Sequence, residues 1–293
     1  MLLRMLVSQF IRQTAERKIY EEVVKAKKQM ETQRDADDEQ RDSAPQQPTT
    51  FDIAFVFALG IESGGFVDLV KDVVTTRGAT FLEHAGTIDG QPVVLAETGV
   101  GSESAAQGTE DLIAICRPKW IVSAGFAGGL NESLGRGHIL MADQIVDLQG
   151  NQLEVGLKIA PEVVSATKGL SVGRLLTVDR IISNPKEKRE LGEQHNAMAC
   201  DMESMAVADV CRREGVRFLS VRVISDTVDD DLPPELGALM DQKSWAGKLG
   251  AAAGAMFRRP SVAKDMWKLQ ADAMKASNRL AKFLVGVVPQ LDS

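Results

Sequence analysis

The chain predicts an α/β fold: a single three-layer domain with a central, largely parallel twisted sheet flanked by helices, an N-terminal helix and a C-terminal helical extension. Two observations carry that expectation. Short apolar runs repeatedly end in glycine turns, as strands buried on both faces do at the rim of a parallel sheet. Between these runs lie stretches of helical periodicity, and strands alternating with helices place helices on both faces. With 293 residues, 44% hydrophobic and 26% charged, the chain is long enough for one substantial core.

The elements follow in order. Residues 1–30 read as an amphipathic helix, with Leu2, Leu3, Leu6, Phe10 and Ile11 on one side and Tyr20, Val23 and Val24 continuing it. Arg4 and Arg12 interrupt the apolar run, which speaks against a secretory signal. The stripe is expected to dock on its own domain or on a partner subunit. Peripheral membrane contact is the less favoured reading, because glutamates are mixed among the basic residues. Residues 31–50 are polar and Pro-bearing, and cannot bury enough surface to order themselves, so they read as a linker. Residues 51–240 hold the sheet domain. Strands are expected in FDIAFVFAL, PVVLAETGVG, KWIVSAGFAGGL, GHILMADQIVDL, RLLTVDRII and RFLSVRVISD, and helices in SAAQGTEDLIAICR and MESMAVADVCRREG. Residues 241–293 form the helical extension: KSWAGKLGAAAGAMF, then a second helix from about Val262 to Val285, with Pro260 suited to its first turn.

Charge and cysteine usage exclude several classes. A formal net charge of -7 opposes a nucleic-acid backbone as partner. Cys116, Cys200 and Cys211 show no CxxC spacing, and His84, His138 and His195 are scattered, so neither a disulfide framework nor a metal site is expected. No cofactor is called for, and a reducing cytoplasm is the expected setting.

Four acidic residues stand at predicted strand ends or helix starts: Glu62, Asp179, Glu203 and Asp226. Any one of them could simply cap a helix. Together with glycine turns at Gly99, Gly101, Gly125, Gly128 and Gly129, they converge on the carboxyl rim of the sheet, where ligands of such folds bind. Several acids beside closely approachable backbone suit a polar, uncharged ligand such as a sugar.

The segments ETGVGSESAA, VSAGFAGGL, CDMESMAVADVC and VRVISD occur in the order and at the intervals of the nucleoside phosphorylase superfamily. They resemble most its methylthioadenosine/S-adenosylhomocysteine nucleosidase branch, over roughly residues 51–240. The resemblance implies cleavage of the N-glycosidic bond of an adenine nucleoside, by a homodimer that binds a small-molecule nucleoside. It implies that Glu62 deprotonates the attacking water and that Asp226, with Ser225, protonates purine N7. Met202 would pack on the nucleoside, Glu203 would accept bonds from the ribose 2′ and 3′ hydroxyls, and Arg222 matches the family arginine near the site. The backbone at Ile181 and Ile182 would read the adenine edge, and Gly125 and Phe126 lie in the turn beside the sugar. Asp226 must then carry a proton at neutral pH, which burial and neighbouring carboxylates favour, while Glu62 stays ionised in a wetter place.

Phosphorylases of the family hold phosphate with arginines, one of which precedes the turn matching Gly125; Ser123 stands there, and no arginine occurs between Phe51 and Arg77. A dianion without cationic partners is poorly held, so water is the expected nucleophile. Phe126 stands where serine is usual, and Ile181 where an aromatic residue stacks on the base. The tail, with its LGAAAGAMFRRP run, resembles that of hopanoid-associated phosphorylases. Phosphorolysis of a purine nucleoside bearing a bulky apolar 5′ group is therefore the alternative, and a non-catalytic nucleoside-binding module is a third reading.

Deleting residues 1–48 is expected to leave the sheet domain folded and to lower the melting temperature or the oligomer size. Co-sedimentation of the intact protein alone with anionic vesicles would instead establish the membrane reading.

Overall fold

The computed structural model describes residues 51–156, 159–232 and 261–291. The expected helix over 1–30, the linker over 31–50 and the helix over 243–257 lie outside the described residues.

The described chain runs β1 (Ile53–Phe57), α1 (Gly60–Val67), β2 (Lys71–Arg77), β3 (Leu82–Ile88), β4 (Gln91–Glu97), α2 (Ser102–Cys116), β5 (Trp120–Gly129) and β6 (Ile139–Asp147). It continues through β7 (Gln152–Glu154), α3 (Pro161–Ala166), β8 (Leu170–Thr177), α4 (Pro185–His195), β9 (Ala199–Asp201), α5 (Ser204–Glu214), β10 (Arg217–Asp226) and α6 (Ser261–Leu291).

β1 shows why the apolar runs become strands. It pairs in parallel with β4 on one edge and β5 on the other. Its alternate residues feed two cores, so all five are buried. Ile53, Phe55 and Phe57 pack with Phe66 of α1 and Leu280 and Leu284 of α6, while Ala54 and Val56 pack with Leu112 of α2 and Val207 and Val210 of α5. Those two cores are the spaces between the three layers. In α6, Ala276, Leu280, Leu284, Val287 and Leu291 recur at helical spacing on the buried face.

β5 is the hinge of the sheet. Its first four residues pair with β1, while on the same edge Gly128 and Gly129 pair with β9. Its other edge is taken along its length by β10. β10 then leads through β6 and β8 back to β9, so these five strands close into a ring. Parallel pairing runs through β4–β1–β5–β10 and β6–β8–β9; antiparallel pairing joins the two at β10–β6 and β5–β9 and adds β2, β3 and β7 at the margins.

One boundary differs from the sequence reading. RLLTVDRII does not continue as a strand to Ile182: β8 ends at Thr177, with a last bond from Val178 N–H to the Asp201 carbonyl at the end of β9 (2.8 Å), after which the chain leaves the sheet. Ile181 and Ile182 sit in the loop that leads into α4. Asn184 caps that helix, its side chain accepting from Lys186 N (2.8 Å), with Pro185 in the first turn.

α1 is braced from behind by α6. Ser277 Oγ accepts from Gly65 N (3.0 Å) and donates to the Glu62 carbonyl (3.1 Å). A Cβ at Gly65 would lie 2.9 Å from Ser277 Oγ and 3.0 Å from the Ser277 backbone carbon. Gly65→Ala is therefore expected to push the two helices apart at a cost of about 1–3 kcal/mol, read as a lower Tm. An unchanged Tm would show that the contact yields freely.

Candidate active site

The carboxyl ends of β1, β5 and β10 open on one rim, and the functional side chains gather there. Glu62 stands one turn into α1, immediately beyond β1. Its carboxylate folds back over the helix start: Oε2 accepts from Ala58 N (3.1 Å) and Leu59 N (2.9 Å), and Oε1 from Phe126 N (2.8 Å). Helix-terminal amides otherwise lack partners, so the sequence places an acid where donors wait. Gly125 is the steric counterpart, since a Cβ there would lie 2.8 Å from Glu62 Oε1. Burial raises the Glu62 carboxyl above its ordinary range, against the opposing pull of Phe126 N–H, Arg222 and the two α1 amides.

The expected contrast of a wet Glu62 and a dry Asp226 is not found: each is 7% exposed. Glu62 must be inside because its amide partners are inside. Asp226, the last residue of β10, has different neighbours from those expected. Ser225 Oγ donates to its Oδ1 (2.7 Å). Lys188 of α4, entirely buried, donates to its Oδ2 (2.6 Å). A cation, not a second carboxylate, thus stands against this acid.

Glu203 is positioned by β9 and the start of α5. It occupies the helix cap position but makes no side-chain capping bond. Instead its Oε1 accepts from Gly101 N (2.8 Å), where Gly101 at φ 97 opens α2 in a conformation suited to glycine. Burial raises the Glu203 carboxyl, and the negative charges of Asp201 and Glu62 add to the rise. Met202 beside it presents its side chain to the same cleft.

Arg222 lies beneath the rim and not in the cleft. Its Nε reaches Asp201 Oδ2 (2.9 Å), and Nη2 reaches Asp201 Oδ2 (2.8 Å), Ser123 Oγ (2.7 Å) and Ser204 Oγ (2.8 Å). Arg222 is expected near the site, and it lines the small recess shared with Glu62 and Glu203, with Nε and Nη2 held by protein partners. Asp201 and Lys188 are the residues that the sequence reading missed. Asp201 is inside the quoted CDMES segment. Lys188 lies in NPKEKRELGEQ, whose dense charge reads as a solvated surface helix.

The cleft has a volume of about 170 Å³. Glu62, Phe126, Ile181, Ile182, Met202, Glu203, Ser225 and Asp226 all line it, and Gly125 and Arg222 line a small recess that shares Glu62. Asp179 faces elsewhere, into a depression of about 580 Å³ with Asp147, Asn151 and Arg212. That depression is larger, but it holds none of the converging acids, and the chemistry belongs to the smaller cleft. Among the described residues no helix is long and apolar enough to cross a membrane.

Comparison with known proteins agrees with this architecture. The sequence pattern described as "Phosphorylase superfamily" matches residues 52–259. A 5′-methylthioadenosine/S-adenosylhomocysteine nucleosidase of Shewanella oneidensis is 31% identical over 187 residues, covering 56% of this chain and 79% of that one. One of Shewanella piezotolerans is 28% identical over 201 residues, covering 61% and 87%. Among solved structures, a Helicobacter pylori nucleosidase mutant with 5′-methylthioadenosine in its active site matches with a TM-score of 0.60 at 20% identity, over 83% of this chain and 100% of that one. The futalosine hydrolase of Helicobacter pylori matches with a TM-score of 0.63 at 20% identity over the same shares.

The raised carboxyls have a consequence for stability. Glu203 binds its proton more tightly folded than unfolded, so its contribution to stability is complete below its ordinary value of 4.5 and is lost as pH rises through the raised value. Glu203→Gln is expected to be more stable than the parent at about pH 9 and to show no such advantage at about pH 4, by denaturant midpoint. Equal midpoints at the higher pH would contradict burial as the cause.

Proposed function

Because the chain belongs to the phosphorylase superfamily, we propose that it hydrolyses the N-glycosidic bond of an adenine nucleoside of the methylthioadenosine/S-adenosylhomocysteine type. The observation that carries this reading is the convergence of Glu62, Glu203 and Asp226 on one cleft. Binding alone does not require an acid beside the base, which speaks against a non-catalytic module.

The roles follow from the chemistry of the bond. Breaking C1′–N9 sends its electron pair into the purine and leaves positive charge on the ribose. Asp226 gives its proton to N7, which neutralises the base. Glu62 takes a proton from the water that attacks C1′, and its raised proton affinity makes it the better base. Among the described residues Gly101 N–H is the donor to Glu203, and two ribose hydroxyls would supply further bonds to its buried carboxylate. Met202 and Phe126 flank the sugar, and the loop at Ile181 and Ile182 meets the adenine edge.

Water is favoured over phosphate as nucleophile. Ser123 stands where an arginine would hold the dianion, and Arg222 spends its donors on Asp201, Ser123 and Ser204. Glu62 itself would repel phosphate from the recess. The same reading carries a cytoplasmic homodimer.

Adenine release from methylthioadenosine, S-adenosylhomocysteine and inosine, with and without inorganic phosphate, tests the proposal. Release from the adenine nucleosides without phosphate is expected, and an absolute phosphate requirement would overturn it. Asp226→Asn should lower turnover about 100-fold or more while binding stays within about tenfold. Near-normal turnover would remove Asp226 from the mechanism.

A further inference from the structure

We propose that Lys188 is a positioning residue for the proton transfer. It pins the catalytic acid by one oxygen, confines the mobile proton to the other, and neutralises the carboxylate that remains once the proton has moved. The proposal rests on the hydrolase reading above.

Lys188 has no exposure, so it reaches no ligand and can act only through its partners. Its ammonium has three protons and finds three acceptors: Asp226 Oδ2 at 2.6 Å, the Thr227 carbonyl at 2.9 Å and the Asp230 carbonyl at 2.9 Å. The burial of a lysine is costly unless it is paired in this way. Its place in the chain is also specific. α4 begins directly after the loop that carries Ile181 and Ile182, so one short segment both meets the base and holds the acid.

The geometry assigns the two oxygens of Asp226. Oδ2 is occupied by Lys188, so the transferable proton resides on Oδ1. There Ser225 Oγ, 2.7 Å away, can accept it and turn its own hydrogen to the Ala127 carbonyl at 3.3 Å. In the reaction the proton leaves Oδ1 for N7 while the C1′–N9 pair moves into the purine. The new carboxylate then faces the Lys188 ammonium. Water adds to C1′ and its proton passes to Glu62; exchange with solvent returns a proton to Asp226 and removes one from Glu62. Among the described residues, titratable groups around this pair include the Cys200 thiol on β9, kept uncharged by burial, and the Arg136 guanidinium, bound to Asp230 and Asp272.

The test uses Lys188→Met and Lys188→Gln of the full chain, assayed on methylthioadenosine. The glutamine variant removes the charge yet keeps a donor for the neighbouring carbonyls, so it serves where the methionine variant folds poorly. Turnover should fall about 10- to 100-fold. The pH profile of kcat/KM should change, because the cation that faces Asp226 Oδ2 is gone. In an Asp226→Asn background either change should cost no further activity. An unmoved pH profile, or losses that multiply with Asp226→Asn, would overturn the role of Lys188. A wild-type enzyme inert on methylthioadenosine would instead overturn the reading on which it rests.

Discussion

An arginine and an aspartate can be buried together only where each satisfies the other, and the site is built on one such contact. Arg222 of β10 meets Asp201 at the end of β9, with side chains 3% and 1% exposed. Asp201 also accepts from Thr177 Oγ1 at the end of β8 (2.9 Å) and from Ser204 N at the start of α5 (3.1 Å). Arg222 adds Ser123 of β5 and the Ser204 hydroxyl. Five elements thus cross at one buried ion pair, directly below the rim. The pair fixes where β9 stops, and the two residues that follow it, Met202 and Glu203, are those that face the cleft.

Above that foundation, three carboxylates sit within one small volume in different company. Glu62 is held by backbone amides alone, Glu203 by a single amide, and Asp226 by a hydroxyl and an ammonium. Neutral donors leave much of the desolvation cost uncancelled, so Glu62 and Glu203 gain affinity for protons. Asp226 faces a cation instead. Glu62 and Asp226 thus differ in their partners, although the two are equally buried.

The sheet's centre was legible because β1, β4, β5 and β10 carry buried apolar runs that lead into glycine- or acid-bearing segments at the rim. The β2–β3 hairpin was not legible: KDVVTTR is exposed along its whole length and LEHAGTI carries no alternation of apolar and polar residues. The reach of β8 was overestimated because VDRII looks like strand, yet its partner β9 ends at Asp201 and offers the chain no further ladder. Among site residues, those inside glycine- and acid-bearing segments could be named. Lys188 could not, since nothing in PKEKRELGEQH marks which of its lysines turns inward. The wetness of Glu62 was misjudged because a carboxylate that serves its own helix terminus is buried by the amides it serves. Arg222 was named from the family resemblance alone, while its partner Asp201 stood unremarked beside the methionine and glutamate of the same segment.

The central claim is that this site delivers water, and not phosphate, to C1′. It is tested most directly by a single turnover of methylthioadenosine in ¹⁸O-labelled water with excess inorganic phosphate present. The account predicts one labelled oxygen on C1′ of the released sugar and no sugar phosphate. Unlabelled ribose 1-phosphate derivative as the main product would contradict it.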